Sequence, residues 1–150
     1  MKITVSIDSK QSIEIGYAEL SEVLFSLSDN PSSADFFNRL ASHPVSEIRA
    51  IAADKTCLSV ATLERLANDP SIDVVQRVAH NDTALKSFKA DTFKTMIGRD
   101  VSIALDLARY YHSAMRPSVS KAVKAELLKH EDPSVRNALA AAADARQMYA

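Results

Sequence analysis

Branched and small apolar residues return at matching places in a block that the chain repeats, in degraded form, four times. Aligned on the first branched apolar residue of the block, Ile48, Val74, Ile103 and Val135 stand 26, 29 and 32 residues apart. Four residues after these anchors come Ala52, Val78, Leu107 and Leu139, and one further on come Ala53, Ala79, Ala108 and Ala140. Eight residues before them come Leu40, Leu66, Thr95 and Leu127, the polar Thr95 being followed at once by Met96 and Ile97. This is the spacing of a helix that buries one stripe. A loosely kept period in this range marks stacked units, each too small to cover its own apolar face. Alanine in the same slot of all four copies predicts a close approach by the next helix pair.

Each copy is divided by a turn. His43-Pro44, Asp69-Pro70, Gly98-Arg99 and His130-Glu131 occupy the same two slots, followed by Val45, Ser71, Asp100 and Asp132. Ser71, Asp100 and Asp132 are predicted N-caps, with Pro133 at the favoured first helical position. In the turn slot, His43 and His130 are expected to meet the carbonyls that end the preceding helix. The first helices are predicted after a Ser33 cap with Phe36, Phe37 and Leu40, over Ser59 to Ala67, from about Thr83 to Ile97, and after Arg116-Pro117-Ser118 with Val119, Val123, Leu127 and Leu128. The extra residues of the two longer spacings fall in or around these helices. Patterning fades after Ala143.

Before the repeats, Ile3, Val5 and Ile7 alternate with polar residues, and Ile13 and Ile15 resume the alternation after Asp8-Ser9-Lys10-Gln11. That predicts a hairpin. Tyr17, Leu20, Val23, Leu24 and Leu27 then fall at helical spacing up to Ser28-Asp29-Asn30-Pro31, a helix placed to cap the stack. Residues 1–32 are therefore read as hairpin plus capping helix, in one domain with an array over 33–150.

The stretches HPVSEIRAIAAD (43–54), LANDPSIDVVQRVAHN (66–81) and DPSVRNALAAA (132–142) resemble the second-helix motif of HEAT-like repeats, closest to the leucine-rich repeat variant, whose pattern is roughly LAxDPDPxVRxAVAxN. The resemblance spans about residues 33–145. It implies a mainly α fold, a short right-handed α-solenoid of about four helix pairs, whose second helices line a concave binding surface. It is nearly silent on activity, since such arrays mostly bind partners. Arg49 and Arg136 match the family's arginine one place after the anchor, where its usual role is structural. The cysteine cluster that holds iron and sulfur in one variant family has no counterpart around Cys57, the one cysteine.

Composition sharpens this. Two glycines in 150 residues argue against glycine-rich phosphate loops and tight hairpins in the body. Eighteen basic and nineteen acidic residues leave a net charge of −1, so no global field recruits nucleic acid or an anionic membrane. A lone cysteine fits a reducing compartment, and no apolar run suits a signal peptide or a spanning helix, so a cytoplasmic protein is expected.

Polar variety gathers in the middle repeats. Val75 and Ala104 replace the arginine, and the slot two residues on becomes Arg77 and Asp106, which predicts an inter-repeat Arg77–Asp106 pair. Outward positions carry Gln76, His80 and Arg109, with Asn81, Tyr110, Tyr111 and His112 close behind. Gln76, Arg77, His80, Asp106, Arg109, Tyr110 and His112 form the candidate partner-binding set; the plainer reading makes them a solvated face with core-edge tyrosines. No HExxH or HxH accompanies the histidines and no serine sits in a glycine-flanked elbow, so no metal, cofactor or catalytic residue is assigned. Three functions are open: a non-catalytic interaction or scaffold module for a protein or peptide, a nucleic-acid-binding repeat protein related to DNA repair, and a homodimer joined through the hairpin or the last repeat.

Overall fold

The computed structural model describes the backbone of residues 2–7, 11–110 and 114–147, and the side chains of Gly16, 18–109 and 114–143. Strands β1 (Lys2–Ile7) and β2 (Gln11–Gly16) pair antiparallel, Lys2 opposite Gly16 and Ile7 opposite Gln11. The rest is helical: α1 (Tyr17–Ser26), a 3-10 turn at Pro31–Ser33, α2 (Ala34–Leu40), α3 (Ser46–Ala53), α4 (Val60–Leu66), α5 (Ile72–His80), α6 (Asp82–Ser87), α7 (Ala90–Ile97), α8 (Val101–Tyr110), α9 (Pro117–Leu127) and α10 (Pro133–Gln147).

The predicted anchors organise the packing. Ile48, Val74, Ile103 and Val135 are all buried, as are Ala52, Val78, Leu107 and Leu139. Helices α3, α5, α8 and α10 touch in chain order, and each leans on its first-helix partner, α2, α4, α7 or α9. One apolar seam runs from Phe37 to Leu139, and a smaller cluster of Leu24, Ile48 and Ile51 joins α1 to α3. Ala53, Ala79 and Ala108 are buried between layers, but Ala140 is exposed. The slot that meets a following helix pair in the first three copies faces solvent in the last, where no described element lies beyond α10.

Several local expectations need correction. The third first helix is not continuous. It breaks at Phe88, which is extended (φ −66, ψ 153), so that α6 lies on α4 and α5 while α7 lies on α5, α8 and α9. Among the described side chains of α1 only Leu24 is buried; Val23 and the following Leu27 are exposed, off the side that α3 covers. Ser33 makes no cap bond, since Asn30 Oδ1 already accepts from the Ser32 and Ser33 N–H groups. Ser71 likewise caps nothing with its side chain, whereas Asp100 and Asp132 accept from Ser102 and Ser134 N–H at 2.8 and 2.7 Å.

Two buried polar residues seven places after their anchors fasten successive layers. Lys55 Nζ donates to the Phe25 and Leu27 carbonyls that end α1, at 3.3 and 3.0 Å, and lies 4.8 Å from the Phe37 ring centroid. Asn81 Nδ2 donates to the Ala53 and Lys55 carbonyls that end α3, at 2.9 and 3.0 Å, while its Oδ1 caps α6 through the Thr83 and Ala84 N–H groups. Each satisfies helix-end carbonyls that have no intrahelical partner. Asn81→Asp keeps the cap but turns a carboxylate oxygen on two carbonyls. It should cost about 2 to 3 kcal/mol near neutral pH by urea denaturation. A carboxyl so placed has a raised folded-state pKa, so the deficit relative to wild type should shrink as pH falls; a pH-independent deficit would refute this role.

Candidate partner-binding face

Three of the four turns between paired helices are built alike. His43 Nδ1 accepts from Val45 N–H at 3.2 Å, Asp69 Oδ1 from Ser71 N–H at 2.9 Å, and His130 Nδ1 from Asp132 N–H at 3.1 Å. The imidazoles thus accept from a backbone N–H two residues on and do not meet the helix-ending carbonyls as expected. The acceptor role puts the proton of the neutral ring on Nε2. Arg49 and Arg136 then reach back over the turn. Arg49 donates to the His43 and Pro44 carbonyls at 2.9 and 3.0 Å, and Arg136 donates to those of His130 and Glu131.

Arg49 does more, gripping Asp69 of the next turn with Nε and Nη2 at 2.6 and 2.8 Å. Burial would raise the Asp69 carboxyl, but bonds from Arg49 and Ser71 N–H and the nearby Arg99 hold it below its ordinary value. A second carboxylate, Asp29, is also held low: the effect of burial is outweighed by bonds from Thr56 and Cys57. It binds the residues after α3 to the loop after α1. Cys57 itself is a poor nucleophile, its thiol pushed up to about 11 by burial and by Asp29.

On the face formed by α3, α5, α8 and α10, Gln76, Arg77, His80 and Asp106 come together, but not in the predicted pairing. Arg77 and Asp106 are each bonded elsewhere, which overturns their expected contact. Arg77 Nη1 reaches back to Asp54 Oδ2 at 3.0 Å. Asp106 Oδ2 instead accepts from Gln76 Nε2 at 2.7 Å and pairs with His80 Nε2 at 3.0 Å. An ionised carboxylate only accepts, so His80 Nε2 carries the proton here. The physical reason is reach: α5 lies between α3 and α8, and its two polar slots divide between them. Burial lifts Asp54 above the ordinary carboxylate value, with Arg77, His80 and Lys55 offsetting part of it.

Two grooves flank this ladder. One, of about 580 Å³, is lined by Phe25, Glu47, Ala50, Ile51, Asp54, Asp73, Gln76, Arg77 and His80; another, of about 520 Å³, by Arg109, Ser134, Asn137, Ala138, Ala141 and Ala142. Arg109 is therefore on the same face but is not part of the ladder. Asn81, expected close behind that set, is a buried structural residue. The Tyr110 side chain, Tyr111 and His112 lie outside the described residues. Among the described residues no cluster of three His, Cys, Asp or Glu side chains is placed to hold a metal ion, and no helix is long and apolar enough to cross a membrane.

Phe25, Glu47 and Asp73 were not singled out in the sequence. Phe25 lies off the buried stripe of α1, and the two acids occupy first helical turns, where a negative charge ordinarily needs no explanation beyond the helix dipole. Compared with known proteins, the chain matches no protein-family model, no curated protein and no solved structure.

Proposed function

We propose that the chain is a short right-handed α-solenoid of four HEAT-like helix pairs, closest to the leucine-rich repeat variant type, closed at its N-terminal end by a β-hairpin and α1. In this reading it is a non-catalytic, cytoplasmic interaction or scaffold module that holds a partner protein or peptide on the concave side formed by α3, α5, α8 and α10. The observation that supports it is the hydrogen-bonded ladder of Asp54, Arg77, Gln76, His80 and Asp106, which fixes polar groups across three helices beside open grooves. Fixed polar groups around concave apolar surface are what specific recognition needs.

The charge on this face is mixed. Asp54, Asp73 and Asp106 stand among Arg77 and Arg109, without the run of cations that tracks a phosphate backbone. Random DNA should therefore show no retardation in a low-salt gel; a salt-sensitive shift would favour the nucleic-acid reading. Affinity capture should lose its partner by about tenfold or more when Arg77, Arg109 and Tyr110 are replaced together by alanine, in keeping with the weight that arginine and tyrosine carry at interfaces. Recovery of the same partners in the same yield would show that this face is not the binding surface.

A further inference from the structure

Four of the large apolar side chains left exposed, Val23, Phe25, Leu27 and Phe36, fall between residues 23 and 36. Phe25 is 51% exposed and forms a wall of the larger groove, whose floor includes Ala50 and the buried Ile51. Packing does not require that ring there. Helix α1 is already fixed by Leu24 in the small core and by Lys55 on its last carbonyls.

Opposite the wall stand Glu47 and Asp73, exposed in the first turns of the adjacent helices α3 and α5. Neither forms an ion pair among the described residues, although Glu47 Oε2 accepts from Ser46 Oγ at 3.0 Å and its carboxyl is lowered by its own backbone N–H, by that bond and by Arg49. Asp54 in the same lining, by contrast, is matched by Arg77. The lining thus sets three carboxylates against one guanidinium, next to aromatic and aliphatic surface.

We infer that this groove receives a short peptide segment of a partner protein in which apolar side chains are flanked by lysine or arginine. The apolar side chains cover Phe25, Ala50 and Ile51, and the cations meet Glu47 and Asp73. Complementary charge here sets register and speeds encounter, and burial of the Phe25 ring supplies the anchor. The same acids repel a nucleic-acid backbone. The inference rests on the interaction reading above and narrows it to one groove and one partner chemistry.

Fluorescence anisotropy on the full chain tests it, with labelled synthetic peptides alternating Lys and Leu, Glu and Leu, or Lys and Ser. Binding is expected for the Lys/Leu peptide alone, weakening as salt rises. Glu47→Lys/Asp73→Lys should weaken it about tenfold or more and admit the Glu/Leu peptide. Glu47→Gln/Asp73→Asn, which removes the charge without placing a cation at either helix start, should weaken it in the same direction. Phe25→Ser should weaken it without altering the salt dependence. Equal binding of the Lys/Ser peptide, indifference to the acid substitutions, or a fall in bound peptide as the chain concentration is raised, as when a second copy covers the groove, would overturn the proposal. If the peptides ignore these acids while the Arg77/Arg109/Tyr110 variant still loses its captured partner, the interaction reading stands and the ligand chemistry falls. If that variant also keeps its partners, both fall.

Discussion

Asp69→Ala should lower stability by about 3 kcal/mol, as expected when one member of a largely buried ion pair is removed. The carboxylate is 7% exposed and the facing guanidinium 13%, joined by two bonds at 2.6 and 2.8 Å. Removing it leaves Arg49 charged in a half-closed site and leaves Ser71 N–H without its acceptor. For a domain of this length the melting temperature should fall by roughly 6 to 12 °C. Arg136→Ala is the internal control, because Arg136 holds the same turn carbonyls at the same register but forms no ion pair with an acid of a neighbouring turn among the described residues. If the two substitutions cost the same, the Asp69 pair does not fasten the layers.

The same pair carries a pH signature. Asp69 and Asp29 titrate below their ordinary value of 3.8 in the folded protein, so the unfolded chain binds the proton more readily. Their contribution is present above that value and is lost as pH falls through the lower, folded-state value. Asp69→Asn keeps an acceptor for Ser71 N–H while removing the charge. The stability gap between wild type and Asp69→Asn should therefore be constant above about pH 5 and close toward the acid limit. A gap that persists unchanged to full protonation would mean that the loss is one of packing and not of charge.

Register was legible in the sequence because it rests on apolar periodicity, and periodicity reports burial directly. All four anchors are buried, and so are three of the four alanines one turn on. Where one slot met different neighbours, the pattern could not tell. Ala140 carries the same residue as Ala108, yet no described helix covers it. Arg77 and Asp106 share a slot, but α5 faces acids on both sides, and the choice of Asp54 for Arg77 depends on side-chain reach. Lys55 gave no signal and Asn81 stood out only as a polar neighbour of the candidate set, since a lysine or asparagine just after a helix ordinarily looks solvent-facing, and only the preceding layer's open carbonyls make it structural. The groove was missed for a related reason: Glu47 and Asp73 lie more than twenty residues apart and become neighbours only when α3 and α5 stack.

Phe88→Ala should cost about 3 to 5 kcal/mol, the usual range for emptying a buried phenylalanine site. No glycine or proline interrupts the stretch from Thr83 to Ile97, so intrinsic propensity favours one helix, and tertiary packing has to impose the break. Phe88 is fully buried, with its ring centroid 5.7 Å from that of Phe93 at an interplanar angle of 54°. Its carbonyl, at the break, accepts from Arg116 Nη2 at 2.9 Å. Either the ring or the arginine could hold the bend, and the two are separable because Arg116 binds backbone that Phe88→Ala leaves in place. Arg116→Ala alone should cost only about 1 kcal/mol. The double variant should then be additive to within about 0.5 kcal/mol if the ring sets the bend and the arginine merely satisfies it. Strong coupling would show that both act together to bend the chain, whereas a gain of far-UV helical signal in Phe88→Ala, as α6 and α7 merge, would show that the ring alone holds the bend.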